Sequence, residues 1–275
     1  MNILTFDIEE WYIYNLYPKG GEKYFLPILN NLLADTLDIL DQVGMKATFF
    51  CLGIIARDYP EVIKSIANRG HDIGCHSDVH TNLSNQDLHT FKAETKMAIN
   101  SIEQLIGQKV KMYRAPAFSL TKQTRWALDV LIELGIEIDS SIFPASRSFG
   151  GFPQFSESKP LILTTEFGSI KEFPVSYSTI ANKRFMFAGG GYFRIFPYNI
   201  IKSLLSKSDY NMAYFHLRDF DSKQKQVYSL RYLQSYYGIG KAWSKFERLI
   251  NDFDFISISE AVNKIDWARV NKIQM

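Results

Sequence analysis

Apolar residues along this chain recur with two periods. Stretches with apolar positions three and four apart alternate with short β-rich runs, and a glycine often marks the change. Ile28–Val43 predicts a helix ending at Gly44, followed by a strand at Lys46–Cys51 (KATFFC). Pro60–Arg69 predicts the next helix, with Pro60 in its first turn, Gly70 after it and a strand at His71–Cys75. Thr121–Leu134, Gly135 and Ile136–Ser140 repeat the unit. Glycine suits the position after a helix because it takes the left-handed conformation without a steric penalty. A series of such units predicts parallel strands joined by crossover helices. Ile3–Ile8 reads as the first strand and Lys111–Arg114 as a further one.

Beyond Pro144 the rhythm loosens. Residues 144–196 are rich in Gly, Pro, Ser and Phe, and within them Leu161–Thr165 and Ser169–Val175 read as an inserted hairpin or irregular strands. The alternation then resumes with a helix at Tyr198–Ser206, a strand at Met212–Leu217, a helix at Lys241–Asn251, a strand at Phe253–Ile258 and a helix at Glu260–Ile265. The expected fold class is α/β, with seven or eight strands as in a (β/α) barrel. No low-complexity linker interrupts the chain, so one domain over 1–275 is expected, with the hairpin region around 144–196 inserted in it.

Composition narrows the function classes. Apolar residues make up 46% and charged residues 22% of 275 positions, which excludes a disordered chain or a coiled coil. Lys and Arg total 31 against 29 Asp and Glu, a net charge of +2. Nothing in that balance calls for nucleic acid or an anionic membrane as partner. The 15% aromatic content fits either a large aromatic core or faces that stack on sugars. Cys51 and Cys75 both lie in apolar runs and read as buried free thiols, as expected in a reducing compartment. No apolar run reaches the ~18 residues of a membrane span. The sequence Met1–Asp7 lacks the basic start of an export signal, so a cytoplasmic protein is expected. Oligomeric state is left open.

Polar residues gather where the expected strands end. The first strand runs into Asp7-Ile8-Glu9-Glu10, the third into His76-Ser77-Asp78-Val79-His80, and later ones into Arg114-Ala115-Pro116, Asp139-Ser140-Ser141 and His216-Leu217-Arg218-Asp219. In barrel enzymes that face carries the active site. Two of only five histidines stand four apart after a strand, where a helical turn would aim both at one ion. Continued strand geometry puts Asp7 and Glu9 on one side and Ile8 on the other. Two histidines and a carboxylate leave room for water on a divalent ion, and a second carboxylate is then a candidate base. Arg114 is a partner for a carboxylate, His216 a proton donor to a leaving group, and Asp139 a candidate to fix its tautomer. Gly189-Gly190-Gly191-Tyr192-Phe193-Arg194 lacks the spacing of a phosphate-binding loop and reads as a tight turn near the site, with Arg194 toward substrate.

The order of these motifs resembles the polysaccharide deacetylases of carbohydrate esterase family 4, the NodB homology domain. Thr5-Phe6-Asp7-Ile8 is similar to the family's T-F-D-D, His76–His80 to H-S/T-x-x-H, Arg114–Pro116 to R-x-P, Asp139–Ser141 to D-x-S, and Tyr214-Phe215-His216 to its late histidine motif. The resemblance covers at least residues 3–217. It implies an irregular (β/α)7-type, distorted TIM-like barrel. It also implies a metal-dependent hydrolase that removes an N-acetyl group from an amino sugar, with metal-bound water as nucleophile. On this basis Asp7 is the base, His76 and His80 are metal ligands, Arg114 holds Asp7, Asp139 tunes His216, and His216 is the acid. The backbone N–H of Ala117 is the implied oxyanion donor. Ala117, Phe118, Arg147, Tyr192 and Arg194 are the expected substrate-binding residues. Zn2+ is the implied cofactor, with Co2+, Ni2+ or Mn2+ as alternatives. The segments Asp139–Pro144 and Gly189–Arg194 are also similar to a bacterial subgroup tied to surface-glycan synthesis, which implies an N-acetylated glycan precursor as substrate.

One departure bears on the metal. The family's second Asp, a ligand, is Ile8 here, which cannot ligate. Glu9 fits by spacing and parity, with Glu10 as second choice. Two other readings remain at this level. One is a same-fold amidohydrolase acting on a non-sugar C–N bond. The other is a non-catalytic glycan-binding homologue, suggested by Ile8.

Overall fold

The computed structural model describes residues 1–9, 28–146, 150–180, 183–223 and 236–275. Strand β1 (Asn2–Ile8) is buried from Ile3 onward on both faces, with Thr5 and Asp7 among the apolar Ile3, Leu4, Phe6 and Ile8. Helix α1 (Leu33–Gln42) leads through Gly44, at φ 67°, to β2 (Thr48–Cys51). Helices α2 (Gly53–Asp58) and α3 (Pro60–Asn68) lead to β3 (Asp72–Cys75). Helix α4 (Leu88–Ile106) precedes β4 (Met112–Tyr113), and α5 (Trp126–Glu133) precedes β5 (Ile138–Asp139). The hairpin expected in the loose region is present as β6 (Leu161–Thr165) and β7 (Gly168–Glu172). A separate pair, β8 (Ser178–Ile180) and β9 (Lys183–Phe185), follows. Helices α6 (Gly190–Ile195) and α7 (Tyr198–Ser206) then precede β10 (Asn211–His216). Helices α8 (Ala242–Asp252) and α9 (Ile258–Lys264) and strand β11 (Lys272–Gln274) complete the order.

Nine strands form one sheet in the order β10-β1-β2-β3-β4-β5-β7-β6-β11. Neighbours from β10 through β7 are parallel, while β6 runs antiparallel to β7. Among the described residues β10 and β11 do not pair, so the ladder is open. It nevertheless curls: Ser176 Oγ accepts from Met212 N at 3.0 Å, and Tyr210 Oη donates to Pro174 O at 2.7 Å, tying β10 to the chain that follows β7. The result is a distorted, incompletely bonded barrel.

Parity along β1 divides the interior. Leu4, Phe6 and Ile8 belong to the main cluster under the helices, where Phe6 stacks on Phe49 at 4.9 Å. Ile3 belongs to a second cluster with Phe50, Met112 and Phe173, and Thr5, Asp7 and Glu9 share its face.

Three expectations are corrected. Phe253–Ile258 is not a strand: only Ile256 bridges to Ile3, and α9 begins at Ile258 because Ser257 and Glu260 form a reciprocal capping box. The triple glycine is not a bare turn, since α6 starts at Gly190. The nineteen-residue α4 was not read at all. Asp87 caps it by accepting from Thr90 N at 2.7 Å, and a polar Thr95 interrupts its buried stripe. No helix among the described residues is long and apolar enough to cross a membrane.

Candidate active site

Arg114 is the hub of the interior. It leaves the end of β4 fully buried, 4.2 Å above the ring of Phe50. Its Nη1 donates to Asp7 Oδ1 at 2.8 Å and to Thr5 Oγ1 at 2.9 Å. Its Nη2 donates to Ser140 Oγ at 2.9 Å and its Nε to Ser140 O at 3.1 Å. A buried guanidinium is stable only with such complete pairing, and here the pairing fixes the Asp7 carboxylate in direction.

The histidines are brought together by strained backbone rather than a helical turn. Ser77 and His80 take left-handed φ values of 72° and 63°, each costing on the order of 1–3 kcal/mol for a residue with a side chain. Ser77 Oγ accepts from His80 N at 3.1 Å, and Asp78 accepts from Arg57 at 2.6 and 3.0 Å, so the surroundings hold the turn. His76 Nδ1 lies 2.8 Å from the Arg114 carbonyl, which can only accept, so Nδ1 carries the proton. Nε2 is then a bare lone pair. It is buried without a hydrogen-bond partner, 3.4 Å from Glu9 Oε2. The same oxygen is 2.6 Å from His80 Nε2.

Ligand atoms of Glu9, His76 and His80 lie within 4.8 Å of one another. A lone pair facing a buried carboxylate calls for a cation between them, and two imidazoles with one carboxylate suit Zn2+ or a neighbouring first-row ion. The residues present therefore fit the implied metal. Burial would raise the Glu9 pKa, but His216 and His80 outweigh it and hold the carboxyl well below its usual value. Ile8 points into the helix-side core, and Glu10 lies outside the described residues.

His216 ends β10 in register with Asp7 on β1, so both face the pocket. Its Nε2 is 3.3 Å from Glu9 Oε1 and 3.9 Å from Asp7 Oδ2. The partner of its Nδ1 is not Asp139 but Asp219, at 3.1 Å. A 3-10 turn over Leu217–Phe220 folds Asp219 back, and the same oxygen accepts from His216 N at 3.0 Å. Asp139 instead accepts from Ser141 Oγ at 2.6 Å and lies in register with Glu172. Burial raises the pKa of both these carboxyls, and the Asp139 charge adds to the rise at Glu172.

Burial also opposes charge at His216 and Asp219. The carboxylates of Glu9 and Asp219 nevertheless lift His216 above its ordinary value, and His216, Arg194 and Arg218 bring Asp219 down to about 2.

Arg194, expected toward substrate, is buried with Nε 3.2 Å from Asp219 Oδ1. Phe118 is likewise buried, packed on Tyr214 and Phe143. Ala117 and Phe118 both have φ 52°, and among the described residues the Ala117 N–H has no hydrogen-bond partner, which leaves it available to an oxyanion. Gly151 N donates to Phe118 O at 2.9 Å and steadies this turn. Tyr192 is partly exposed on α6, and Arg147 lies outside the described residues. Sequence reasoning missed Asp219, although its three-residue spacing from His216 is that of a cap.

Comparison with known proteins agrees with this geometry. Polysaccharide deacetylase matches residues 3–137, and a domain of unknown function, DUF3473, matches residues 140–263. A peptidoglycan-N-acetylglucosamine deacetylase of Bacillus cereus is 36% identical over 94 residues, covering 34% of this chain and 34% of its own. A chitooligosaccharide deacetylase of Bradyrhizobium is 28% identical over 119 residues, covering 43% of this chain and 49% of its own. The aligned region spans about a third of the length of the first of these relatives. A crystal structure of a candidate polysaccharide deacetylase from Mycobacterium smegmatis shares the fold with a TM-score of 0.69 at 20% identity, over 99% of this chain and 92% of that one. With its motifs in order, its ligand cluster assembled and residues 3–137 matched, the chain carries a polysaccharide deacetylase domain.

Proposed function

We propose that this protein is a metal-dependent N-deacetylase that hydrolyses the acetamido group of an amino sugar in a glycan or glycan precursor. The observation that carries the reading is the meeting, in one buried pocket, of a Glu-His-His cluster, an arginine-held carboxylate and a carboxylate-held histidine. A divalent ion held by Glu9, His76 and His80 supplies positive charge that polarises an amide carbonyl and acidifies water. Asp7, aimed by Arg114, accepts the proton of the attacking water. The Ala117 N–H donates to the developing oxyanion. His216, held by Asp219, delivers a proton to the departing nitrogen.

The two matched regions act as one catalytic unit in this reading, since acid and base come from opposite sides of their boundary. Zn2+ is the proposed ion. The subgroup-like segments Asp139–Pro144 and Gly189–Arg194 support a surface-polysaccharide precursor as substrate. The free buried thiols of Cys51 and Cys75 are in keeping with action in the cytoplasm. Glu9 answers the observation that favoured a non-catalytic homologue, because it stands in the cluster where Ile8 could not.

The test is acetate release from N-acetylated oligosaccharides by the zinc-loaded protein. His216→Ala is expected to lower the rate by about 10²–10⁴ with the fold retained. Unchanged turnover in that variant would overturn the assignment.

A further inference from the structure

Beside Arg114 the barrel interior holds two more carboxyl groups, Asp139 and Glu172, and the chemistry above uses neither. Both are fully buried, at 0% exposure. They are paired in register across the parallel strands β5 and β7, which puts their backbones about 4.8 Å apart. Asp139 Oδ1 accepts from Ser141 Oγ at 2.6 Å and Oδ2 from Ser141 N at 3.2 Å. Glu172 Oε1 accepts from Ile142 N at 3.1 Å, but Glu172 Oε2 is buried with no hydrogen-bond donor against it. Arg114 does not fill that gap, because its donors are spent on Thr5, Asp7, Ser140 and Met212.

Two ionised carboxylates side by side, out of water and without a bonded cation, repel each other strongly. One proton between them removes a charge and turns Glu172 Oε2 into a donor to Asp139. Burial raises the pKa of both groups, and their mutual hydrogen bond lowers Asp139 while raising Glu172 further, so the proton resides on Glu172. The other titratable groups facing the pair are Arg114, Tyr113 and Tyr210. Burial pushes both phenols up and keeps them neutral, so the charge beside the pair is that of Arg114.

The segment held by the pair reaches the site along two routes. Ser140 lies inside it, and its O and Oγ accept from Arg114 Nε and Nη2 at 3.1 and 2.9 Å. Ser140 Oγ also donates to the carbonyl of Phe173, next to Glu172, at 2.8 Å. Ser141 Oγ, while donating to Asp139, accepts from Ala115 N at 2.8 Å. Ala115 opens the 3-10 turn Pro116–Phe118, which carries the Ala117 N–H.

We infer that Asp139 and Glu172 are an acid pair sharing one proton, and that they act as positioning residues. Through Ser140 and Arg114 they aim Asp7, and through Ser141 and Ala115 they place the Ala117 N–H. The positioning role rests on the deacetylase reading, whereas the shared proton does not.

The experiment uses the zinc-loaded full chain, with acetate release from chitotetraose as the turnover probe. In the infrared at about pH 8, wild type is expected to show the C=O stretch of a buried carboxylic acid that Glu172→Gln lacks. The folded pKa of Glu172 lies above its ordinary 4.5, so its contribution to stability is complete below about pH 4.5 and is lost as pH rises. Urea midpoints of wild type should therefore fall relative to Glu172→Gln between about pH 5 and 8. A glutamine reproduces both the acceptor for Ile142 N and the donor to Asp139, so Glu172→Gln should keep kcat within about threefold of wild type. Glu172→Leu and Asp139→Asn should lower kcat about tenfold or more, with KM and zinc content little changed. Ser141→Ala, which cuts the link to Ala115, should lower kcat about tenfold and keep the infrared band.

Absence of the band in wild type overturns the shared proton. Wild-type kcat in both Glu172→Leu and Ser141→Ala, or loss of zinc in step with kcat, overturns the positioning role. A band in a wild-type chain that releases no acetate would support the acid pair and overturn the deacetylase reading instead.

Discussion

Replacing Asp219 by Asn changes one oxygen to nitrogen and removes one charge from the carboxylate that joins His216 to Arg194. Oδ2 accepts from His216 N and faces His216 Nδ1, at 3.0 and 3.1 Å, while Oδ1 faces Arg194 Nε at 3.2 Å. An amide cannot serve both sides. With its oxygen toward His216, its NH2 meets the Arg194 N–H; turned over, its NH2 meets two donors on His216. In either orientation a buried guanidinium loses its counter-charge.

The magnitude follows from Asp219 itself. Against burial, its neighbours bring its pKa from 3.8 to about 2. At about 1.4 kcal/mol per unit, that is about 2–3 kcal/mol of preference for the charged form. Loss of the same charge lowers His216, which burial alone would depress and which Glu9 and Asp219 together raise. In the proposed mechanism His216 is the protonated acid, so the alkaline limb of kcat should move to lower pH. The fall in kcat should be about 10²–10⁴, the scale of a misassigned or unsupported catalytic histidine. The assay is acetate release against pH for wild type, Asp219→Asn and Asp139→Asn, with urea unfolding alongside. A kcat for Asp219→Asn within threefold of wild type, or an alkaline limb that moves only in Asp139→Asn, would refute the pairing described above.

Three further outcomes are expected. Glu9→Ala should reduce bound zinc from about one ion per chain to nearly none by elemental analysis, and full retention would remove Glu9 from the cluster. His71 accepts from Ala47 N at 3.2 Å, its Nε2 is buried without a partner, and burial lowers its pKa from 6.5 to about 4. Its folded pKa lies below its unfolded one, so its contribution is complete above about pH 6.5 and is lost as pH falls toward 4, by about 1–3 kcal/mol. Urea midpoints should show that slope in wild type and a flatter one in His71→Gln; identical slopes would contradict it. A Cβ on Gly150 would fall 2.5 Å from Phe118 O and 2.7 Å from Ala117 O. Gly150→Ala should therefore displace the Ala117 N–H and lower kcat by at least about tenfold with zinc content intact, and a wild-type rate would show that this donor is not used.

The parts of the site carried by strand geometry were legible in the sequence. Alternation along β1 put Asp7 and Glu9 on one face and sent Ile8 to the core, and the structure keeps that parity. The βα rhythm gave the parallel order through β5 because each helix ended on a glycine or an abrupt change of period. What escaped detection depends on irregular backbone. The His76–His80 approach uses two left-handed residues, not a helical turn, and no propensity announces that. Asp219 returns to His216 through a short 3-10 turn, while Asp139 is engaged by Ser141 two residues on. The glycine-rich approach to Arg194 reads as a tight turn that sends the side chain toward substrate, yet α6 packs it against Asp219.

The two sequence regions meet at β5, inside a single sheet. Glu9, His76 and His80 all belong to the first region, together with Asp7 and Arg114. The acid His216, its support Asp219, Arg218 and the Ser140 that accepts two of Arg114's donors belong to the second. In the proposed reading, ion capture and proton donation thus lie in different sequence regions. On that reading, replacing the second region alone would re-aim or retire the chemistry while leaving the ligand cluster in place. The incoming region must, however, offer acceptors where Ser140 stands, or it strands a charge at the centre of the barrel.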